Sequence, residues 1–221
     1  MGPVCMQVVK GVEGILPDGL HAAACAVERI SADQVLFPLE WLCCGTFSPR
    51  RLREFAAGRH AAHMAIRRMG GVPDAIPVGE GGAPAWPEKF VGSISHSADV
   101  ALAVVGHRSA FWSIGVDVEE CHAVDDQLAD LFITNEDQSG TDPTLLFSIK
   151  ECGVKIIYQS YAKLLDFSDL VVRVNHQEFA FEIHPSCNSF YKFPSVQGQY
   201  FVADTMLGAL SIAPKRILKC G

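Results

Sequence analysis

Residues 48–71, SPRRLREFAAGRHAAHMAIRRMGG, constrain the fold more than any other stretch. Ser48 suits an N-cap, Pro49 the first helical position, and Gly70-Gly71 a C-terminal stop. Between those marks Leu52, Phe55, Ala56, Ala62, Ile66 and Met69 recur at helical spacing. This predicts one helix over 49–69 with that set facing a core. The Gly- and Pro-rich run that follows, GGVPDAIPVGEGGAPAWPEKF, is a loop. VGSISHS, DVALAVV (99–105) and FWSIGVDVE (111–119) read as strands, the last two as an antiparallel hairpin turning at GHRSA. After a polar stretch at 120–143, LLFSIKECGVKIIYQSYAKLL reads as a second helix, weakened by Gly153. DLVVRV, EFAFEIH and QYFVADTMLGALSIA read as further strands. Helix followed by strands therefore occurs twice, which predicts an α/β chain of two modules with a boundary near 115–120.

A chain of 221 residues, 49% apolar and 19% charged, can bury a substantial core and is not disordered by composition. No apolar run is long enough to cross a bilayer, so no membrane association is expected. The opening MGPVCMQVVKGVEG has no basic region leading into a long apolar core, so no signal peptide is expected. Met6 stands where myristoylation wants Ser or Thr. Eight cysteines, from Cys5 to Cys220, are scattered without a C-x-x-C pair. They read as free thiols of a reducing cytoplasm rather than a disulfide framework, and no Cys/His group has zinc-ligand spacing. A net charge of −7 argues against a general nucleic-acid binder. Yet six of the ten arginines lie within 48–68. A local basic patch on an acidic protein suits a compact polyanion such as a small phosphorylated ligand.

The chemistry concentrates in three places. In SIGVDVEE (113–120), Asp117 and Glu119 are one residue apart on a strand, so both carboxylates share a face and Val116 and Val118 take the other. Like charges roughly 6–7 Å apart repel, more so when partly buried. Either the pair is solvated at a strand end, or a divalent cation turns repulsion into coordination; an oxygen-only set suits Mg²⁺. In FSIKECGVKIIY, Glu151 and Lys155 share a helix face at i, i+4. They form either an ordinary surface ion pair or, with Phe147, Val154 and Tyr158 crowding that side, a partly buried acid and ammonium able to serve a metal and a phosphate. In GSISHS, His96 follows small residues that let a bulky ligand approach the backbone. It is either a structural hydrogen-bonding residue or a ligand contact beside Ser95.

Taken together, GR…GAPAWP…GSISHS…IGVDVE…FSIKECGVK resembles the surfactin-type 4′-phosphopantetheinyl transferases, and within them the enterobactin-synthetase-component-D group. The likeness runs in order from about residue 50 to about 165. It implies an α+β fold of two similar, pseudo-symmetric halves, each a helix with an antiparallel sheet, spanning 1–115 and 116–221. It implies a Mg²⁺-dependent enzyme that moves the phosphopantetheine arm of coenzyme A onto a serine of an apo acyl or peptidyl carrier protein, releasing adenosine 3′,5′-bisphosphate. By the resemblance Asp117, Glu119 and Glu151 hold the metal, while Glu151 is also the candidate base and Lys155 stabilises charge on the leaving phosphate. Arg51, Arg53, Arg59, Ser95, His96, Lys150 and Lys155 contact coenzyme A. The protein is expected to act as a cytoplasmic monomer, with siderophore or other secondary metabolism the direction of the group. The rival expectations are a non-catalytic coenzyme A- or carrier-binding relative, and a different Mg²⁺ phosphotransferase or phosphodiesterase. Two departures stand out. Gly81, Gly82 and Ala83 occupy the place of a usual Lys or Arg before P-x-W-P, and Gly153 interrupts the second helix.

Overall fold

The computed structural model describes residues 2–215; Cys220 lies outside them. Helix α1 (Pro3–Glu13) opens on a proline and buries Cys5, Val8, Val9 and Val12, an i, i+3, i+4, i+7 stripe. Strand β1 (Leu20–Ala26) follows, then two single turns, α2 (Ala32–Val35) and α3 (Pro38–Trp41). Neither α1 nor β1 is among the predicted elements. Helix α4 (Pro49–Arg68) is capped as its sequence requires: the Ser48 hydroxyl accepts from the Arg51 amide at 3.2 Å, and Gly70 beyond its end has φ 78°. Its buried surface is wider than the predicted stripe. Phe55, Ala56, Ala62 and Ile66 are joined by Ala57, Ala61 and Ala65, while Leu52 and Met69 are only half buried.

Strands β2 (Phe90–Ser97) and β3 (Val100–His107) form a hairpin around Ala98-Asp99, with Ala98 at φ 48°. β1 takes the other edge of β3, giving a three-stranded antiparallel sheet in the order β1-β3-β2. This corrects the expected hairpin between 99–105 and 111–119. Both edges of β3 are already paired, so β4 (Phe111–Glu120) has no ladder to join there and goes to the second sheet. Beyond a short turn, α5 (Asp126–Ala129), comes α6 (Pro143–Tyr161), capped by the Asp142 carboxylate on the Leu145 amide at 3.0 Å. It ends at Ala162 in the left-handed region. Strands β5 (Leu170–Asn175), β6 (Ala180–Pro185), β7 (Val196–Ala203) and β8 (Met206–Pro214) complete an antiparallel sheet in the order β4-β8-β7-β6-β5. The segment 199–213, read as one strand region, is a β7–β8 hairpin turning at Asp204-Thr205.

Two halves, each a long helix against an antiparallel sheet, are therefore present as expected: α4 lies on β1 and β3, α6 on β4 and β8. A shared apolar cluster under α1 joins them, with Val116 and Val118 of β4 packed among Ala22, Leu102 and Val104. Gly153 has a packing reason. A Cβ there would sit 2.7 Å from the Ile183 side chain, so its absence lets α6 settle on the second sheet instead of loosening the helix.

The seam between the halves positions everything that follows. β2 and β4 run side by side without a backbone ladder, and side chains replace it. Ser93 Oγ accepts from the Val116 amide at 3.0 Å and Ser95 Oγ from the Val118 amide at 3.4 Å. Gln159 of α6 donates to the carbonyls of Gly92 (3.1 Å) and Ile114 (2.8 Å) and accepts from the Ile114 amide at 3.2 Å. Buried backbone groups that no strand satisfies are thus satisfied by a serine at every second residue and by one amide.

Candidate active site

Strand β4 carries Asp117 and Glu119 toward α6, while Val116 and Val118 point into the shared core, the alternation the sequence requires. Asp117 is 2% exposed. Its Oδ1 accepts from Ser95 Oγ at 2.7 Å and pairs with Lys155 Nζ at 2.6 Å. Its Oδ2 is buried and has no protein partner. Lys155 Nζ also donates to the Val116 carbonyl at 3.1 Å and lies 3.8 Å from Glu151. Glu119 accepts from Ser97 Oγ at 2.6 Å. What brings α6 this close to β4 is Gly115: a Cβ there would collide with the Cys152 carbonyl oxygen. A glycine inside a strand pattern is the signal for such a close backbone approach.

The electrostatics follow from three acids and one ammonium sharing a partly dry site. Burial, and then the Asp117 charge, push Glu119 up to about 7 against the pull of Ser97 and Lys155. Burial likewise raises Glu151, with Asp117 adding to it and Lys155 opposing. Burial alone would depress Lys155, but Asp117 and Glu151 outweigh it and hold the ammonium above its ordinary range. Among the described residues no three His, Cys, Asp or Glu side chains are drawn into a metal-ligating group. Instead Lys155 bridges Asp117 and Glu151 and supplies the positive charge. The donor set nevertheless fits a hard divalent cation: carboxylate oxygens only, one of them buried without a partner, and one acid raised by burial and then by its neighbour's charge.

Lys155 also lines a cavity of about 250 Å³ between the halves, with Arg51, Arg59, His96, Gly82 and Tyr158 among its walls. Arg51 Nη1 meets His96 Nε2 at 3.0 Å. An arginine only donates, so Nε2 accepts, and the proton of the neutral ring is on Nδ1. Burial lowers His96, with Arg51 and Lys155 reinforcing it and Glu54 opposing, so the ring is neutral near pH 7. Arg59 is 5% exposed; its Nε donates to the Ile76 carbonyl at 2.5 Å and its guanidinium lies 4.2 Å over the Phe55 ring. Burial pulls Arg59 down to about 10, still charged at neutral pH. Gly81, at φ 64°, passes against Tyr158, whose hydroxyl donates to the Glu80 carbonyl at 2.7 Å and so ties the glycine turn to α6. A larger open hollow of about 900 Å³ lies between residues 14–17 and β5–β8, but none of the sequence-derived site residues lines it.

Three expected contacts are not brought to this cleft. Lys150 is fully buried on another side of α6, where Nζ bonds Asp137 Oδ2 (2.7 Å) and the carbonyls of Phe132 (2.9 Å) and Phe167 (3.1 Å). Phe147 goes with it, edge-on to Phe132 and Phe167. Arg53 is exposed and lines none of the cavity, because it projects from the opposite side of α4 to Arg51 and Arg59. Ser95 spends its hydroxyl on Asp117 and the Val118 amide, so it orients an acid rather than touching a phosphate. At the end of α4 Arg67 and Arg68 are both exposed, and Arg68 also reaches back to the Ala22 carbonyl. The sequence expectations omit Ser97 and Gln159, although the period-two serines of GSISHS were a visible signal for the first.

The fold is an α+β one of two similar halves with acids and cations gathered at their seam, and comparison with known proteins supplies its family. The family model of the 4′-phosphopantetheinyl transferase N-terminal domain matches residues 46–106. The chain is 31% identical to the 4′-phosphopantetheinyl transferase Npt of Nocardia iowensis over 166 residues, 72% of this chain and 74% of that one. It is 33% identical to the 4′-phosphopantetheinyl transferase PptT of Mycobacterium tuberculosis over 129 residues, 54% of this chain and 57% of that one. It is 34% identical to enterobactin synthase component D of Escherichia coli K12 over 142 residues, 58% of this chain and 65% of that one. The matches thus span less than two thirds of the last two relatives. The chain belongs to the 4′-phosphopantetheinyl transferase family of enzymes.

Proposed function

We propose that the protein transfers the 4′-phosphopantetheine group of coenzyme A to a serine of an apo acyl or peptidyl carrier protein, with Mg²⁺ as cofactor and adenosine 3′,5′-bisphosphate as the other product. The observation that supports this best is Lys155, which lines the cavity beside Arg51, Arg59 and His96 and pairs with Asp117 of the acid cluster. In this reading residues 1–115 grip coenzyme A and residues 116–221 carry the acids. Asp117, Glu119 and Glu151 are the ligands for the cation, whose part is to neutralise the diphosphate. Arg51 and Arg59 present guanidinium donors to the phosphates, and His96 Nδ1–H donates to one of them. Lys155 offers a compact ammonium to the phosphate that leaves.

The step is an in-line displacement. The carrier serine oxygen bonds to the β-phosphorus, and the bridging oxygen departs with adenosine 3′,5′-bisphosphate. Glu151, made more basic by burial, takes the serine proton. Ser95 and Ser97 hold the two strand acids in place. Incubation with coenzyme A, Mg²⁺ and a panel of apo carriers, siderophore-synthase carrier domains included, followed by mass measurement tests the proposal. The carrier should gain one phosphopantetheine; no gain with any carrier would refute transfer and leave a binding relative. Nucleotide released with no carrier present would favour a phosphodiesterase.

A further inference from the structure

Below the arginine-bearing face of α4 sits an ionisable group that the proposed reaction does not use. Glu40, on the single-turn helix α3, has no exposed surface at all. Its Oε2 accepts from the Phe37 amide at 2.8 Å, an ordinary tie at a helix start. Its Oε1 reaches out of α3 altogether, accepting from the Ile76 amide at 2.8 Å and meeting His63 Nε2 at 3.0 Å. His63 is also buried, with the Phe37 ring edge-on at 4.8 Å closing the site. A buried carboxylate is costly to fold around, and an uncharged side chain could fill this space more cheaply.

What it holds is the backbone of one residue. Ile76 is gripped at its amide by Glu40 and at its carbonyl by Arg59 Nε. Ile76 is itself fully buried, although it belongs to the otherwise irregular loop after α4. His63 stands one turn beyond Arg59 on the same helix, so Glu40 is tied both to the helix that carries the guanidinium and to the residue the guanidinium bonds. Among the described residues only Nε of Arg59 is hydrogen-bonded, which leaves its terminal nitrogens to the cavity it lines. The Glu40 charge also favours the charged form of Arg59 against the cost of burial.

We propose that Glu40 is a positioning residue for coenzyme A recognition: by fixing the backbone of Ile76 at its amide it sets the carbonyl on which the Arg59 guanidinium is seated in the cavity. This rests on the reading that Arg59 binds coenzyme A. A double-mutant cycle separates the two claims. The dissociation constant for coenzyme A in Mg²⁺, by calorimetry, and kcat are measured for Glu40→Gln, Arg59→Ala and the double variant, at a temperature well below every melting transition. Glu40→Gln should weaken coenzyme A binding about tenfold, the scale of one charge-assisted contact, with kcat changed less than about twofold. In the Arg59→Ala background it should add less than about twofold. The same fold-loss in both backgrounds, or none in either, overturns the proposal while leaving the role of Arg59 intact. Unchanged binding in Arg59→Ala alone overturns the reading of Arg59 and the proposal with it. Should Glu40→Gln not fold, His63→Leu carries the same cycle. It removes one of the three donors to Glu40, so a loss of about threefold that vanishes beside Arg59→Ala supports the proposal, and an additive or absent loss refutes it.

Discussion

Lys150→Met tests where the energy of the K-E-x-x-x-K helix resides. The methionine keeps the length and apolar stem of the side chain and removes only the ammonium, so no cavity opens. Lys150 and Asp137 are exposed to 0% and 1%, which makes theirs a buried pair. Burial pulls the Lys150 ammonium below its ordinary range despite the hydrogen bond and charge of Asp137. Asp137 thus does not fully offset the desolvation of the ammonium, and the damage of deleting that ammonium comes from stranding its partner. Deleting one member of a buried pair costs about 3–5 kcal/mol. Here Asp137 keeps the amides of Val172 (2.9 Å) and Thr134 (2.8 Å) and the Thr134 hydroxyl (3.1 Å), which places the loss at the lower end, about 3 kcal/mol. For a chain of this size that lowers the melting temperature by about 6–12 °C. Calorimetry should show that drop, and kinetics well below the transition should show an unchanged KM for coenzyme A. An unshifted melt with a KM raised tenfold or more would refute the burial argument and return Lys150 to the phosphates.

The remaining expectations concern the acids and their spacing. Asp117→Ala and Glu151→Ala should each cut kcat at least about a hundredfold while circular dichroism stays native, because in the proposed reaction each carboxylate serves the diphosphate and neither belongs to the apolar clusters; Lys155→Ala should depress kcat more than it raises the KM for coenzyme A. Glu119 is raised from the ordinary carboxylate range to about 7, so its folded-state preference is for the protonated form. In cation-free buffer its contribution to stability is full below pH 4.5 and is lost as pH rises through 7. Melting scans should show this decline, weaker in Glu119→Gln, and Mg²⁺ should raise the melting temperature more at pH 7.5 than at pH 5; identical slopes in the two proteins would refute the assignment. Gly115→Ala forces a methyl against the Cys152 carbonyl, so it should lose about 1–3 kcal/mol in denaturant melts and reduce kcat by parting β4 from α6; a stability at or above wild type would show that the approach is not tight.

Rules that act along the chain made much of this molecule legible. Caps and helical spacing marked α4, the run from Leu145 read as a helix where α6 lies, and alternation along β4 put Asp117 and Glu119 on one face. Helix geometry also separates the basic residues. At about 100° per residue, Lys150 and Lys155 stand about 140° apart on α6, whereas Glu151 and Lys155 are about 40° apart. One lysine could therefore reach the β4 acids only if the other turned away. The same arithmetic sets Arg51 and Arg59 about 80° apart on α4 and Arg53 well over 100° from both. What could not be read locally depended on pairing between distant segments. The β2–β3 hairpin turns through Ala98 in the left-handed region, where propensity argues against it, and that hid the true partner of β3.

The seam is the deepest instance of this dependence. A serine at every second residue of β2 looks like a plain strand until β4 is known to lie beside it without a ladder. Ser93, Ser95 and Gln159 then serve as its hydrogen-bond partners. Ser95 does this while also donating to Asp117, and Ser97 continues the row by donating to Glu119. The two acids are consequently held from the first half although they belong to the second, and Lys155 meets them from α6. A site assembled this way depends on the junction staying shut. Slippage of β2 against β4 by one residue would turn the serines away and leave both carboxylates unsupported at once.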